Sequence, residues 1–175
     1  MTTRQRARRL FALALVSVWS ACAGTTTTPA PKEFELGAHR VQVTVPAGWE
    51  ALDQGKQKRF RKGEFQIVLQ NLGTRTPPPR DLDELIEWGL AAVGADVGRD
   101  RRHELKSRRT VMLEGREAVD IETWQRLDHT NPQRIFFVDD DGELLALHTE
   151  RMALADSLAA FNAIRDSLHF VSARR

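Results

Sequence analysis

Residues 134–151 read "RIFFVDDDGELLALHTER". Two apolar runs, Ile135–Val138 and Leu144–Leu147, flank a polar segment centred on Asp141–Gly142, a dipeptide favoured in two-residue hairpin turns. A strand with one wet face alternates apolar and polar side chains; these two runs do not alternate. Both of their faces must therefore be covered, which puts this hairpin near the middle of a sheet with a layer on each side.

Working outward, the downstream segment 152–170 places Leu154, Leu158, Phe161, Ile164 or Arg165, and Leu168 at helical spacing. Upstream, "LDHTNPQ" (127–133) is a polar loop, and "ELKSRRTVMLEGREAVDIETW" (104–124) is a second hairpin turning at Glu114–Gly115. In its second strand Val119, Ile121 and Thr123 share one face, and Ala118, Asp120, Glu122 and Trp124 the other. Before it, Asp81 can cap a helix with Glu84 as its partner three residues on, followed by an apolar face of Leu82, Leu85, Ile86, Gly89, Leu90 and Val93. Glycines 94 and 98 stop that helix. "QKRFRKGEFQIVLQNLG" (57–73) is a hairpin around Gly63, and "HRVQVTVPAGWE" (39–50) is a half-buried strand ended by Pro46 and Gly48. Short turns between successive strands make a sheet largely antiparallel. The expectation is an α+β fold, a largely antiparallel sheet sandwiched by helices, as a single domain over 33–175.

The succession "VTVPAGWE", hairpin, helix, "LEGREAVDIE", central hairpin and a closing "FNAIRDSLHF" resembles the PsbP-like fold. The matching positions are packing positions: Pro46 to Trp49, Gly115 with Ala118, and Phe161 with Ser167 and Phe170. The resemblance implies an accessory or binding role and carries over no catalytic residue. No cofactor is implied.

The N-terminal residues give an address. Arg4, Arg6, Arg8 and Arg9 precede an apolar run from Leu10 to Ala21, too short for the ~20 residues of a membrane-spanning helix. A basic start, a short apolar run and small residues at its end have the form of an export signal over 1–21. The only cysteine, Cys22, follows at the cleavage position. "WSAC" (19–22) resembles the lipobox of bacterial lipoproteins, departing from it at Trp19, where an aliphatic residue is usual. The resemblance implies a diacylglycerol on the Cys22 thiol and acylation of the new amino end. Several acyl chains anchor a protein without spanning the bilayer. Ordinary cleavage without lipid is the alternative. Residues 22–32, rich in threonine and proline, read as a tether. The expected location is the cell envelope, with the outer membrane favoured.

Charge needs recounting after such a cleavage. The chain has 26 basic and 24 acidic residues; without the four arginines of 1–21 the balance is 22 against 24, or −2. The basic excess belongs to the leader, so nucleic-acid binding is not expected. Two basic clusters remain: Lys56, Lys58, Arg59, Arg61 and Lys62, then Arg99, Arg101, Arg102, Lys106, Arg108 and Arg109. Lying in or beside turns, they are candidates for contact with an anionic surface or envelope protein partner, if they do not simply solvate the fold.

Chemistry is sparse. No Gly-x-Ser-x-Gly elbow and no His-x-x-x-His pair occurs among His39, His103, His129, His148 and His169, so no catalytic or metal set is assigned. "DDDGE" is explained as a turn. His148 and Glu150 on one strand and Asp120 and Glu122 on another would form a polar cluster if those strands were neighbours. A solvent-facing charge ladder at a sheet end is the plainer expectation. The leading function is an accessory or protein-binding envelope lipoprotein. The alternatives are a small-ligand or glycan carrier with a pocket between sheet and helix, and a hydrolase with an unrecognised site.

Overall fold

The computed structural model describes residues 30–95, 103–125, 132–150 and 155–171. Its strands are β1 (Pro31–Leu36), β2 (His39–Thr44), β3 (Glu50–Gln54), β4 (Gln57–Lys62) and β5 (Phe65–Thr74), followed after the first helix by β6 (His103–Leu113), β7 (Arg116–Gln125), β8 (Gln133–Asp140), β9 (Glu143–Glu150) and the short β10 (His169–Phe170). The helices are α1 (Leu82–Ala92) and α2 (Ala155–Asp166). Seven strands form one antiparallel sheet in the order β3-β4-β5-β9-β8-β7-β6; β1, β2 and β10 form a second sheet.

The β8–β9 hairpin lies centrally, as its two-faced apolar runs require. Alternate residues feed two separate cores. Phe136, Val138, Leu145 and Leu147 join Phe161 and Ile164 of α2 and Phe34, Val41 and Phe170 of the small sheet. Ile135, Phe137, Leu144 and Ala146 join Leu85, Ile86 and Leu90 of α1. The turn residues Asp141 and Gly142 have φ of 55° and 81°, the left-handed pair that a tight hairpin of this twist demands.

The expected sandwich between helices needs correction. Only α1 covers one face. The other is covered by the three-stranded sheet together with α2, so half of the molecule is sheet packed on sheet. The small sheet begins at Pro31, two residues inside the expected tether. The buried stripe of α2 is Ser157, Ala160, Phe161 and Ile164, with Leu158 only half-buried. No helix among the described residues is long and apolar enough to cross a membrane.

α1 starts and stops as its sequence dictates. The Asp81 carboxylate accepts from the Glu84 N–H at 2.9 Å. The Glu84 carboxylate accepts from the Arg80 N–H, also at 2.9 Å, one residue earlier than in the usual reciprocal box. That N–H and the Arg80 guanidinium hold the Glu84 carboxyl down to about 2, despite the opposing effect of desolvation. At the other end the N–H groups of Gly94 and Ala95 bond back to Ala91 and Leu90, with Gly94 at φ 73°. This is the Schellman closure.

Candidate functional site

Two rows of side chains cross the large sheet, one residue apart in register, and they hold most of the charged residues of interest. On the α1 face the row runs Leu52, Arg59, Val68, His148, Ile135, Ile121, Arg108. On the α2 face it runs Asp53, Lys58, Leu69, Leu147, Phe136, Asp120, Arg109. Each row is apolar or uncharged in the middle and carries charge towards its two ends. The two-residue period of a strand thus divides each basic cluster between opposite faces.

This arrangement corrects two sequence expectations. β7 and β9 are not neighbours, since β8 lies between them, and His148 and Asp120 face opposite sides of the sheet. Neither belongs to a solvent-facing ladder: His148 is 6% and Asp120 5% exposed. The expected exposure of the first basic cluster is also corrected in part. Lys58 is 3% exposed, its ammonium donating to Asp53 at 2.5 Å and to the Gly55 carbonyl at 2.8 Å.

His148 sits at the inner end of a hydrogen-bonded chain. The Glu150 carboxylate and Gln66 accept from the Arg59 guanidinium at 2.8 and 2.9 Å, and the Gln57 oxygen does so at 3.2 Å. Gln57 donates to Gln70 at 2.6 Å, which leaves the Gln70 amide to donate to His148 Nε2 at 3.1 Å. Nε2 is then the acceptor of a neutral ring. Burial, with the nearby Arg59 charge, pushes the imidazole down to about 4, against the opposing backbone bond at Thr149. The ring is a neutral hydrogen-bonding element of the sheet interior.

Asp120 is buried by neutralisation instead. Arg165 of α2 reaches its carboxylate at 2.7 Å, Arg134 of β8 at 2.8 Å and Arg109 of β6 at 3.3 Å. Beside it Glu122 accepts from Lys106 at 2.9 Å and from the Trp124 indole at 3.2 Å, and the Lys106 ammonium lies 4.1 Å over the Trp124 ring. Burial alone would raise the Glu122 pKa; the Lys106 and Trp124 hydrogen bonds and the Lys106 and Arg134 charges outweigh it and hold the carboxyl below its ordinary value.

At the sheet end next to these groups lies β6. It pairs with β7 and ends the strand order among the described residues. Its segment Glu104–Thr110 is exposed throughout. The exposed large hydrophobic side chains of the described residues are Leu105, 44% exposed, and Met112, 63% exposed, and both stand on this strand. A largely apolar pocket of about 210 Å³ opens between Glu104, Leu105, Lys106 and Trp124. That is below the ~300–1,000 Å³ of a small-molecule site and suits a single inserted side chain.

The predicted contact residues do not form one patch. β4 and β6 stand five strand spacings apart, roughly 24 Å. Lys56 and Arg61 are exposed, Lys62 lies 3.9 Å from Asp156, Arg59 is bound into the His148 chain, and Arg108 pairs with Asp83 at 2.6 Å. Arg99, Arg101, Arg102 and Cys22 lie outside the described residues. The sequence reading missed Arg134 and Arg165; single basic residues in otherwise apolar elements were the available signal. Among the described residues no group of three or more His, Cys, Asp or Glu is placed to hold a metal ion.

Sequence comparison finds no matching family model and no matching curated protein. Structural comparison places the chain beside the solution structure of cyanobacterial PsbP (CyanoP) from Synechocystis, with a TM-score of 0.55 at 14% identity, covering 86% of this chain and 98% of that one. A Pseudomonas aeruginosa protein of unknown function is similar at a TM-score of 0.39 and 11% identity, over 74% of this chain and 86% of its own. The CyanoP likeness shows a PsbP-like fold.

Proposed function

We propose that the chain is an exported bacterial envelope lipoprotein, held at a membrane by lipid on Cys22, whose folded part is an accessory module that binds another protein. The observation that carries the binding role is that the exposed large hydrophobic side chains of the described residues, Leu105 and Met112, both stand on one edge strand, β6. A long, exposed edge strand bearing apolar side chains is a template for pairing with another chain.

Two further features support this reading over a small-ligand carrier. α1 lies directly on the sheet: a Cβ built on Gly89 would sit 2.7 Å from Leu144 Cδ2 and 2.9 Å from Phe137 Cζ, so helix and sheet leave no room for a ligand there. The polar groups buried in the sheet, His148 and Asp120, are turned towards other protein groups. The address rests on the basic start, the apolar run and "WSAC". With β1 beginning at Pro31, the tether 23–30 spans roughly 27 Å when extended, enough to hold the fold clear of a bilayer surface.

The test is crosslinking and pull-down of the full chain from native membranes, beside a Cys22→Ser variant. The wild type is expected to incorporate a fatty-acid label and to crosslink a discrete protein; the variant should lose the label. Equal labelling of both would remove the anchor, and absence of any crosslinked protein would remove the binding role.

A further inference from the structure

Resting on the protein-binding reading, we propose that β6 is a docking edge that accepts an extended, acidic segment of the partner as an additional strand of the large sheet. An edge strand carries a row of backbone groups available for pairing, and strand addition is a recurrent mode of peptide recognition. Among the described residues the two edges of the large sheet differ. β3 is five residues long, whereas β6 is eleven, enough to template a long strand.

The side chains on β6 select the occupant. Lys106, Arg108 and Arg109 stand against the single acid Glu104, so the strand is basic. Arg108 is taken up by Asp83, but Lys106 and Arg109 are 49% and 71% exposed, and the Asp120 carboxylate that Arg109 touches is already met by Arg134 and Arg165, so the α2 face of this edge keeps positive charge to offer. Leu105 and Met112 add apolar contact near its two ends, and the pocket beside Trp124 can take one apolar side chain.

A second copy of this chain offers no complementary charge: antiparallel self-pairing of the regular segment, centred on Thr110, sets Arg108 against Met112 and Arg109 against Val111. Parallel in-register pairing would set Lys106 on Lys106. Antiparallel pairing centred anywhere from Ser107 to Arg109 sets one basic residue against another, and like charges directly opposite are unfavourable. Charge and a bulge commonly protect a sheet edge, and β6 has a bulge between Leu105 and Ser107. From Ser107 to Leu113, however, the register is regular and the exposed Met112 is unprotected by a neighbouring charge on its own strand. An acidic strand supplies the opposite charge that a second copy lacks in this register.

The test uses the full chain in phosphatidylcholine vesicles and a ten-residue synthetic peptide alternating glutamate and valine. A peptide with lysine in place of glutamate serves as control. Hydrogen exchange read by mass spectrometry should slow in 104–113 on adding the acidic peptide alone, with affinity about tenfold weaker at high salt. Leu105→Thr with Arg109→Gln and Met112→Thr, at three exposed side chains, should fold normally and lose most of the binding. Equal binding of the lysine peptide would overturn the proposal. So would protection elsewhere, or protection of 104–113 by phosphatidylglycerol vesicles without peptide. If the native-membrane crosslinks map to a different element, the edge assignment fails while the protein-binding reading stands; if no protein crosslinks at all, that reading fails.

Discussion

The Asp120 carboxylate meets guanidiniums from three elements, and the three are not equivalent. Arg165 and Arg134 are mostly buried, whereas the Arg109 side chain is 71% exposed and its contact is the longest at 3.3 Å. Removing one partner of a buried pair leaves the other uncompensated. Asp120→Ala should therefore cost about 3 kcal/mol, and Arg109→Ala less than about 1 kcal/mol. Urea denaturation of the two variants checks the ranking; equal costs would show that Asp120 is held by its surroundings and not by its ion pairs. His148 is buried by the opposite means, as a neutral ring. An unfolded histidine titrates near 6.5, and this one is pushed down to about 4. Between those values the unfolded chain binds more protons than the folded one, so stability rises with pH through that window and is lost as pH falls from about 6.5 to 4. The full difference is worth about 3 kcal/mol. His148→Gln, which can keep a bond to Gln70, should flatten this acid limb relative to wild type when stability is measured at pH 4.5 and pH 7. An unchanged pH dependence would place the sensitivity in other groups.

Among the elements, α1 carries a test of close packing. Gly89 lies mid-helix, where alanine would raise helix propensity by about 1 kcal/mol. Its missing Cβ is what lets the helix approach Leu144 and Phe137, both of which are buried in the core and have little freedom to withdraw. Overpacking commonly costs about 1–3 kcal/mol, so Gly89→Ala should lower stability despite the gain in propensity. A stabilised variant would mean that the sheet can shift to accept the methyl group. At the same helix, Asp81→Ala removes the cap on the Glu84 N–H and should cost about 1 kcal/mol. The features that the sequence disclosed at this scale are those written in periodicity or turn chemistry: α1 with its cap, the Glu114–Gly115 and Asp141–Gly142 hairpins, and the two-faced apolar runs. What it did not disclose has a physical reason. β3 and β10 carry little alternation of their own, as "EALDQ" and "HF" show, and exist because a partner strand is there to pair with; β1 alternates only over the four residues "EFEL", too short a signal beside the threonine- and proline-rich stretch before it. The polar networks were hidden for a related reason. A run such as "KQKRFRK" looks like one patch in sequence, yet the strand sends Lys58 to one face and Arg59 to the other.

At the scale of the whole molecule, the question is whether two cores make two folding units. The answer lies in β8 and β9, whose alternate residues are shared out between them: Phe136 and Leu147 to one side, Phe137 and Ala146 to the other. Neither side can lose its covering layer without exposing one face of strands on which the other side depends. Both cores should therefore unfold in a single transition. Two tryptophans report the two sides separately, Trp49 packed against the α2-side core and Trp88 against the α1-side core. In variants that keep only one or the other, with phenylalanine at the remaining tryptophans, the denaturation midpoints should coincide. Phe161→Ala supplies the decisive arm. Phe161 is fully buried on the α2 side, so its truncation should cost about 3–5 kcal/mol. Because the central hairpin transmits the loss, Trp88 on the far side should register the same shift in midpoint as Trp49. If the Trp49 midpoint falls while the Trp88 midpoint stays in place, the large sheet with α1 folds on its own, and α2 with the small sheet is a separable layer docked upon it.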